Sequence, residues 1–142
     1  MFLTAGFAAL TSALVIFVAV QYQLENALHS KAKRNLESQM VFARVVGKEF
    51  LKTGRLPANE LWQSDMAKSP TRFTVIKVDG TVVYDSSRPV SELDNHRNRP
   101  EVLQASSSGR GEAERYSQSV DTVQLYIAQR IDEGLEPLGY VR

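Results

Sequence analysis

Residues 72–84 read RFTVIKVDGTVVY and contain the strongest short-range folding signal in this sequence. Two runs of β-branched and aromatic residues, 72–78 and 81–84, flank the pair Asp79-Gly80. An Asp-Gly pair in that position is typical of a tight β-hairpin, because a type I′ turn requires positive φ at both central residues. The stretch therefore predicts two antiparallel strands joined at Asp79-Gly80.

A second pair of strand candidates, 115–120 and 123–131, surrounds Asp121-Thr122, and a fifth candidate begins at 138–142. A connection of about thirty residues separates the two pairs and contains a helical stretch over 100–105. Proline at the first helical position and an acidic neighbour favour a helix start there. Long connections across a sheet face often carry ligand pockets or functional loops. The order predicts an α+β fold whose five-stranded antiparallel sheet resembles PAS-like or single-Cache sensor domains, with a short helix over 59–66 before it.

The segment from Gln21 to Thr53 contains no proline, and its only glycine is Gly47. Apolar residues recur every three or four positions, which predicts a helix over 25–53. Gly54 and Pro57 are expected to end this helix, since glycine accepts the left-handed C-cap and proline cannot continue it.

The two halves of this helix differ in the width of their apolar stripe. The first half has a narrow stripe, which predicts pairing with a second copy through a seam of Leu24, Leu28, Ala32 and Leu36. From Met40 to Leu51 the stripe widens, which predicts packing against a sheet as well as a partner helix. A lone amphipathic helix folded on its own domain, without dimerisation, is the alternative.

Residues 1–24 carry no charged side chain, and the apolar run within them is about the length that spans a bilayer. A cleaved secretory signal calls for a basic n-region and a shorter apolar run, and no Lys or Arg precedes this one. The tract predicts an uncleaved transmembrane anchor followed by an exported domain. By the positive-inside rule, the basic residues just past the run (Lys31, Lys33, Arg34) favour a cytoplasmic location for the domain that follows. A basic flank upstream of Phe2 would restore the orientation in which this domain is exported.

Composition excludes several classes of protein. The residues beyond the anchor suffice for one domain, residues 54–142. A net charge of +1 gives no basic face for nucleic acid, so no nucleic-acid partner is expected. The chain has no cysteine, which excludes a disulfide scaffold and a thiolate metal site.

The residues also predict no catalysis, cofactor or metal site. The two histidines, His29 and His96, fall on separate elements, and the aspartates do not have the spacing of an EF-hand loop. No serine stands in a Gly-x-Ser-x-Gly setting. The sequence therefore contains no recognisable complete set of catalytic groups.

Two motifs carry a family resemblance. Residues 75–86, VIKVDGTVVYDS, resemble the first hairpin of extracytoplasmic Cache-type domains. Residues 94–102, DNHRNRPEV, followed by a Gly-containing loop, Arg115-Tyr116-Ser117 and 125–128 (LYIA), resemble the sensor domain of phosphate-regulon-type (PhoR-like) sensor histidine kinases. The resemblance covers roughly residues 72–142. It implies a second membrane helix, a linker and a cytoplasmic kinase beyond Arg142, so this segment itself is not expected to be an enzyme.

The candidate site residues are polar or aromatic groups on the long connection and the strands beneath it: Asp85, Asn95, His96, Arg99, Arg115, Ser117 and Tyr126. Period-two alternation places Arg115 and Ser117 on one face of their strand, and Tyr126 faces the same way as Ala128 on the next. These residues line a ligand site or staple the connection, with Arg99 paired to Glu101 or Glu112. Balanced arginines and acids over 88–115 favour the staple.

The function expected from these features is the sensory input and dimerisation region of a two-component sensor histidine kinase in a bacterial inner membrane. Its expected partners are a second copy of the chain, the membrane, and a small anionic ligand or an envelope protein. A Cache-type sensor of a chemoreceptor or cyclic-dinucleotide enzyme, or a membrane-anchored interaction module, is the alternative. The sequence following Arg142 discriminates between them.

Overall fold

The computed structural model describes residues 2–57, 71–117 and 122–142, with side chains described for 12–57, 71–116 and 122–142. The chain forms two compact units, Met1–Asn35 and Leu36–Arg142. Its elements in chain order are α1 (Phe2–Thr53), β1 (Thr74–Lys77), β2 (Val82–Asp85), a 3₁₀ turn (Val90–Glu92), α2 (Pro100–Ser108), β3 (Arg110–Ser117), β4 (Thr122–Glu133) and β5 (Glu136–Val141). The predicted helix over 59–66 lies outside the described residues.

Helix α1 is continuous from Phe2 to Thr53, so the helix predicted over 25–53 is confirmed. It ends as predicted at Gly54, whose φ is 69° and whose N–H donates to the carbonyl of Phe50 at 2.8 Å. Within the described part of the chain, no helix is both long and apolar enough to cross a membrane. The side chains of residues 1–11, within the transmembrane anchor predicted over 1–24, lie outside the described residues, and the anchor stays a prediction.

The predicted hairpin is confirmed as β1 and β2, with a slightly longer turn than expected. Lys77 closes it by donating its N–H to the carbonyl of Thr81 at 2.9 Å and accepting from the N–H of Gly80 at 2.9 Å. Three residues, Val78–Gly80, thus separate the bonded pair. Gly80 adopts φ of 88°, and the side chain of Asp79 accepts from the Thr81 N–H at 2.9 Å.

The five strands form one antiparallel sheet in the order β2-β1-β5-β4-β3. The predicted fold class, one long helix with a five-stranded antiparallel sheet, is confirmed at this level. Both predicted strand pairs and the fifth strand form, while the turn at 118–121 lies outside the described residues. Because β5 lies between β1 and β4, it joins the two hairpins into one sheet.

The second half of α1 packs on one sheet face. Met40, Ala43 and Val46 are buried against a cluster contributed by the strands and the chain preceding β1: Phe73, Val75, Ile127, Ile131 and Val141. The approach is close at Gly47, where a β-carbon would collide with Val141 and come within 3.1 Å of Ile131 Cδ1. Glycine at this position is therefore required by the helix–sheet distance.

The broad apolar stripe predicted over Met40 to Leu51 splits into two sides. Met40, Ala43 and Val46 face the sheet, whereas Val41 and Val45 are 71% and 67% exposed. Residues one position apart on a helix point about 100° apart, so a stripe this wide cannot lie wholly on one flat surface. The prediction of sheet packing is confirmed for the buried side only.

Of the predicted seam residues, Leu24, Leu28 and Ala32 are exposed in the first unit. Leu36 differs from them: it is half-buried and packs against the sheet-side core of the second unit. The described structure contains one copy of the chain, so the seam stays a prediction.

Ion pairs border the contact between α1 and the sheet. Arg110 at the start of β3 reaches Glu37 on α1 at 2.8 Å and Glu112 at 2.7 Å, and these two carboxylates raise the pKa of its guanidinium. At the far end of β4, Lys52 pairs with Glu133 at 2.6 Å. These contacts give α1 a defined register along the strands.

Helix α2 covers the opposite sheet face. Val102 and Ala105 pack with side chains of four strands, Ile76, Val82, Ala128 and Tyr140. The helix predicted over 100–105 is confirmed and extends to Ser108, where Gly109 caps it at φ of 84°. A β-carbon at Gly111 would collide with the carbonyl of Glu101, so glycine there lets α2 lie directly on β3.

Candidate functional site: a buried arginine cluster

The centre of the candidate site is the carboxylate of Glu101 in the first turn of α2. The residue is fully buried between α2 and the sheet. Its Oε1 accepts from Arg115 Nη2 on β3 at 2.9 Å and from Arg142 Nη1, just after β5, at 3.3 Å. Pro100 starts the helix and directs the next side chain inward, so local sequence and sheet order together place a carboxylate under two guanidiniums.

The ring of Tyr126 on β4 completes this group. The guanidinium carbons of Arg115 and Arg142 lie 4.2 Å and 5.0 Å from the ring centroid. Cations within about 6 Å of an aromatic face are attracted to its negative quadrupole. The side chains of Arg115 and Tyr126 therefore lie on the same face of the sheet. The tyrosine hydroxyl donates to Gln124 Oε1 at 2.9 Å.

Asp85 staples the end of β2 to β1. Its buried carboxylate accepts from Arg72 Nε at 3.0 and 2.8 Å and from the Thr74 hydroxyl at 2.8 Å. The backbone N–H groups of Ser87 and Arg88 donate to its Oδ1 at 2.9 and 3.0 Å. Both carboxylate oxygens are thus saturated, which supports the stapling interpretation for this residue.

Asn95 staples the long connection to the hairpin turn. Its Nδ2 donates to the carbonyl of Asp79 at 3.0 Å, and its Oδ1 accepts the N–H of Arg97 at 2.8 Å. A β-carbon at Gly80 would collide with both Asn95 and Arg97. This glycine therefore provides the turn conformation and the room for the connection to cross it.

His96 is buried beside the arginines. Its backbone N–H donates to the carbonyl of Gly80 at 2.8 Å, and Nδ1 lies 2.8 Å from the carbonyl of Asp94. Since a carbonyl only accepts, Nδ1 carries a proton, and Nε2 of the neutral ring is an acceptor. Burial, followed by the positive charge of Arg142 and then those of Arg99 and Arg72, lowers the pKa of His96, while the Asp94 bond opposes this. The imidazole is therefore held neutral.

The two remaining predicted site residues are Arg99 and Ser117. Arg99 precedes α2, where its carbonyl accepts the N–H groups of Val102 and Leu103, and its guanidinium donates to no described residue. The predicted pairing of Arg99 with Glu101 or Glu112 is wrong for the described residues, because Arg115 and Arg142 take Glu101 and Arg110 takes Glu112. The side chain of Ser117 lies outside the described residues.

Three members of the cluster were not among the predicted site residues: Glu101, its central acid, Arg72 and Arg142. For Glu101 the sequence contains one signal, because an acidic side chain after Pro100 is expected at a helix start. Its burial depends on the sheet and cannot be predicted from that signal. Arg72 and Arg142 stand immediately beside strand residues, and Thr74 and Arg142 exchange backbone hydrogen bonds of 2.8 and 2.9 Å. This pairing follows from β1 and β5 being neighbours, which local sequence does not reveal.

The cluster holds more positive than negative charge. Burial lowers the pKa of Arg142, and the charges of Arg72 and Arg115 lower it further, against the opposing effects of Glu101 and Tyr126. Three buried atoms have no hydrogen-bond partner among the described residues: Arg72 Nη2, Arg115 Nε and Glu101 Oε2. The arrangement is suited to binding a polar, anionic group.

The described residues contain no group of three or more His, Asp or Glu side chains placed to hold a metal ion. The cluster combines arginines with carboxylates, groups that recognise a polar partner by charge and hydrogen bonds. Comparison with known proteins adds no further assignment: no protein-family model matches this chain, and no curated protein matches it significantly.

Proposed function

We propose that this chain is the extracytoplasmic sensory input and dimerisation region of a membrane-bound sensor histidine kinase, which transmits an envelope or small-molecule signal to a kinase following Arg142. The observation that carries the proposal is the meeting of Glu101, Arg115 and Tyr126, which belong to the resembling motifs, in one cluster, with the buried His96 subject to the positive charge of Arg142 in that cluster. The cluster lies on the α2 face of the sheet, and α1 packs on the other. A sheet between a polar cluster and a long helix is suited to passing a shift from one to the other.

Membrane attachment through residues 1–24 is part of this proposal. Support comes from large apolar side chains in the described part of the tract, each more than half exposed: Leu14, Val15, Ile16, Phe17, Val18, Val20 and Tyr22. Five of them are consecutive and so point to every side of the helix. A helix that is apolar all round requires an apolar environment, and a lipid bilayer provides one.

Dimerisation through α1 is also proposed. In the second unit, Val41 and Val45 are exposed on the side of α1 that does not pack on the sheet. A second copy of the helix would cover them and leave the sheet contact unchanged. In this arrangement the helices of two protomers carry the signal towards the membrane.

The proposal is tested with the complete protein in membrane vesicles. We expect an apolar span, a His-containing dimerisation helix and an ATP-binding domain after Arg142, and autophosphorylation from ATP. Replacing Phe50 with alanine, which loosens α1 on the sheet, should change the basal autophosphorylation rate, whereas an exposed Lys31→Ala control should not. A methyl-accepting or cyclic-dinucleotide output domain in place of the kinase would refute it.

A further inference from the structure

The long connection crosses the turn of the β1–β2 hairpin at Asn95 and His96, and we call the bonds made there the crossing contact. Asn95 Nδ2 donates to the carbonyl of Asp79 at 3.0 Å, and the His96 N–H donates to the carbonyl of Gly80 at 2.8 Å. A β-carbon at Gly80 would collide with Asn95 and Arg97, so the two segments lie in direct contact. The crossing contact therefore holds the connection to the sheet.

The crossing contact continues into the start of α2. The carbonyl of His96 accepts the N–H of Arg99 at 3.0 Å, and the carbonyl of Arg99 accepts the N–H groups of Val102 and Leu103 at 2.9 Å each. The same turn of α2 carries the buried Glu101, which binds two arginines of the cluster. Hydrogen bonds thus run without interruption from the hairpin turn through His96 to the first turn of α2.

His96 is the member of this chain of bonds whose charge changes near neutral pH. Among the described residues, the buried polar ones are Thr74, His96 and Glu101, and His96 is only 3% exposed. The imidazole is the one side chain of these whose ordinary pKa, about 6.5, lies near neutral pH. A proton on the ring creates a buried cation, which is costly unless a negative group compensates it.

The charges that act on the ring are positive. Burial, followed by the charge of Arg142 after β5 and then those of Arg99 before α2 and Arg72 before β1, lowers the pKa of His96, while the bond to the Asp94 carbonyl opposes this. A nearby like charge disfavours the charged form of a group. The surroundings of the ring therefore favour its neutral form.

The acidic groups of the surrounding elements have other partners. Glu101 on α2 binds Arg115 and Arg142, and Asp85 at the end of β2 binds Arg72. Other titratable groups on the turn, the connection and this sheet face include the exposed Asp79, Asp94 and Arg97 and the neutral tyrosines Tyr126 and Tyr140. Each buried carboxylate among the described residues thus already has a guanidinium partner.

We propose that His96 is an acid-sensitive switch: protonation of its ring releases the crossing contact and loosens the first turn of α2 from the sheet. The inference uses contacts within Leu36–Arg142 and goes beyond the proposed function, because it names acidification as a stimulus that requires no bound molecule. In the released state, water solvates the imidazolium. The equilibrium therefore shifts towards release as the pH falls below about 6.5.

Hydrogen exchange of backbone amides, followed by NMR on the full chain in detergent, measures this release. Between pH 7.5 and 5.5, an imidazole with a pKa of about 6.5 goes from about one-tenth to about nine-tenths protonated, so protection factors at the His96 and Arg99 amides should fall by up to about tenfold. At both pH values they should lie below those of Thr74 and Arg130, whose amides donate to neighbouring strand segments at 2.8 and 2.9 Å. Low urea concentrations should leave them unchanged, because a local opening exposes little surface.

Protection that does not change with pH at His96 and Arg99 would overturn the inference. Protection equal to that of Thr74 and Arg130 at both pH values would also overturn it, since the contact would then open only when the whole domain unfolds.

Matched histidine variants identify the titrating group. His96→Gln is neutral at both pH values, and the other histidine of the chain, His29, is exposed on α1. We expect the pH response at Arg99 to disappear in His96→Gln and to persist in His29→Gln. A response that persists in His96→Gln would assign the titration to another group and overturn the switch.

The ring of the wild-type protein gives a second measurement, which decides the question even if His96→Gln does not fold. If protons favour the released state, the closed state must bind them less tightly. The NMR resonances of the His96 ring should therefore titrate below the reference pKa of about 6.5. Titration at or above that value would show that the closed state accommodates the protonated ring, and the switch would be refuted.

Discussion

Replacing Glu101 with alanine should destabilise the domain more than any other single change in the cluster. The substitution removes the acceptor of two arginines at 2.9 and 3.3 Å. Arg115 keeps 27% of its side chain exposed and can turn to water, but the side chain of Arg142 is only 6% exposed. Removing one partner of a buried ion pair costs about 3–5 kcal/mol, because the remaining charge is left uncompensated.

For a unit of about 100 residues, as Leu36–Arg142 is, each kcal/mol lowers the melting temperature by roughly 4 °C, so the expected fall is at least about 12 °C. Thermal unfolding followed by circular dichroism measures it. Glu101→Gln retains an acceptor and should lose less. Glu133→Ala removes the exposed partner of Lys52 and should melt close to the wild type. If Glu101→Ala and Glu133→Ala melted alike, the buried pair would not stabilise the domain and the reasoning would be refuted.

Three further predictions concern other parts of the chain. Because the folded pKa of His96 lies below its unfolded value, its contribution to the free energy of unfolding is present above about pH 6.5 and is lost as pH falls. Urea unfolding at pH 7.5 and 5.5 should therefore show a smaller loss of stability at the lower pH in His96→Gln than in the wild type. Gly47→Val should lower the urea midpoint strongly, since its side chain would enter the space of Val141, and an unchanged midpoint would contradict the close packing. Cysteine at Leu28 should crosslink in membranes more than cysteine at Ser30, and equal crosslinking would argue against the seam.

Local sequence patterns predicted the elements of the fold well. The hairpin at Asp79-Gly80, the helix end at Gly54 and the helix start at Pro100 each depend on the backbone preferences of one or two residues. Such preferences act within a few residues along the chain. They are therefore readable without knowledge of the tertiary structure.

The partners within the site were less accessible to sequence reasoning. Alternation placed Arg115 and Tyr126 each on one face of its own strand, but it did not relate the two faces; the guanidinium carbon of Arg115 lies 4.2 Å from the Tyr126 ring centroid. Arg99 was predicted to pair with Glu101 or Glu112, both close in sequence, whereas one actual partner of Glu101, Arg142, is 41 residues away. That contact depends on β5 lying beside β1 and β4, which is a property of sheet order and not of local pattern.

The central position of β5 has a consequence for how the domain is assembled. Each hairpin pairs strands that are close in sequence, but β5 follows all four of these strands in the chain and lies between the two hairpins. Contacts between distant segments form slowly, because loop closure must precede them. During synthesis, the β1–β2 hairpin is complete long before β5 is made, and the β1 edge stays open to other chains until then. We therefore expect aggregation to compete with folding in that interval, which ends when β5 enters the sheet and covers the β1 edge.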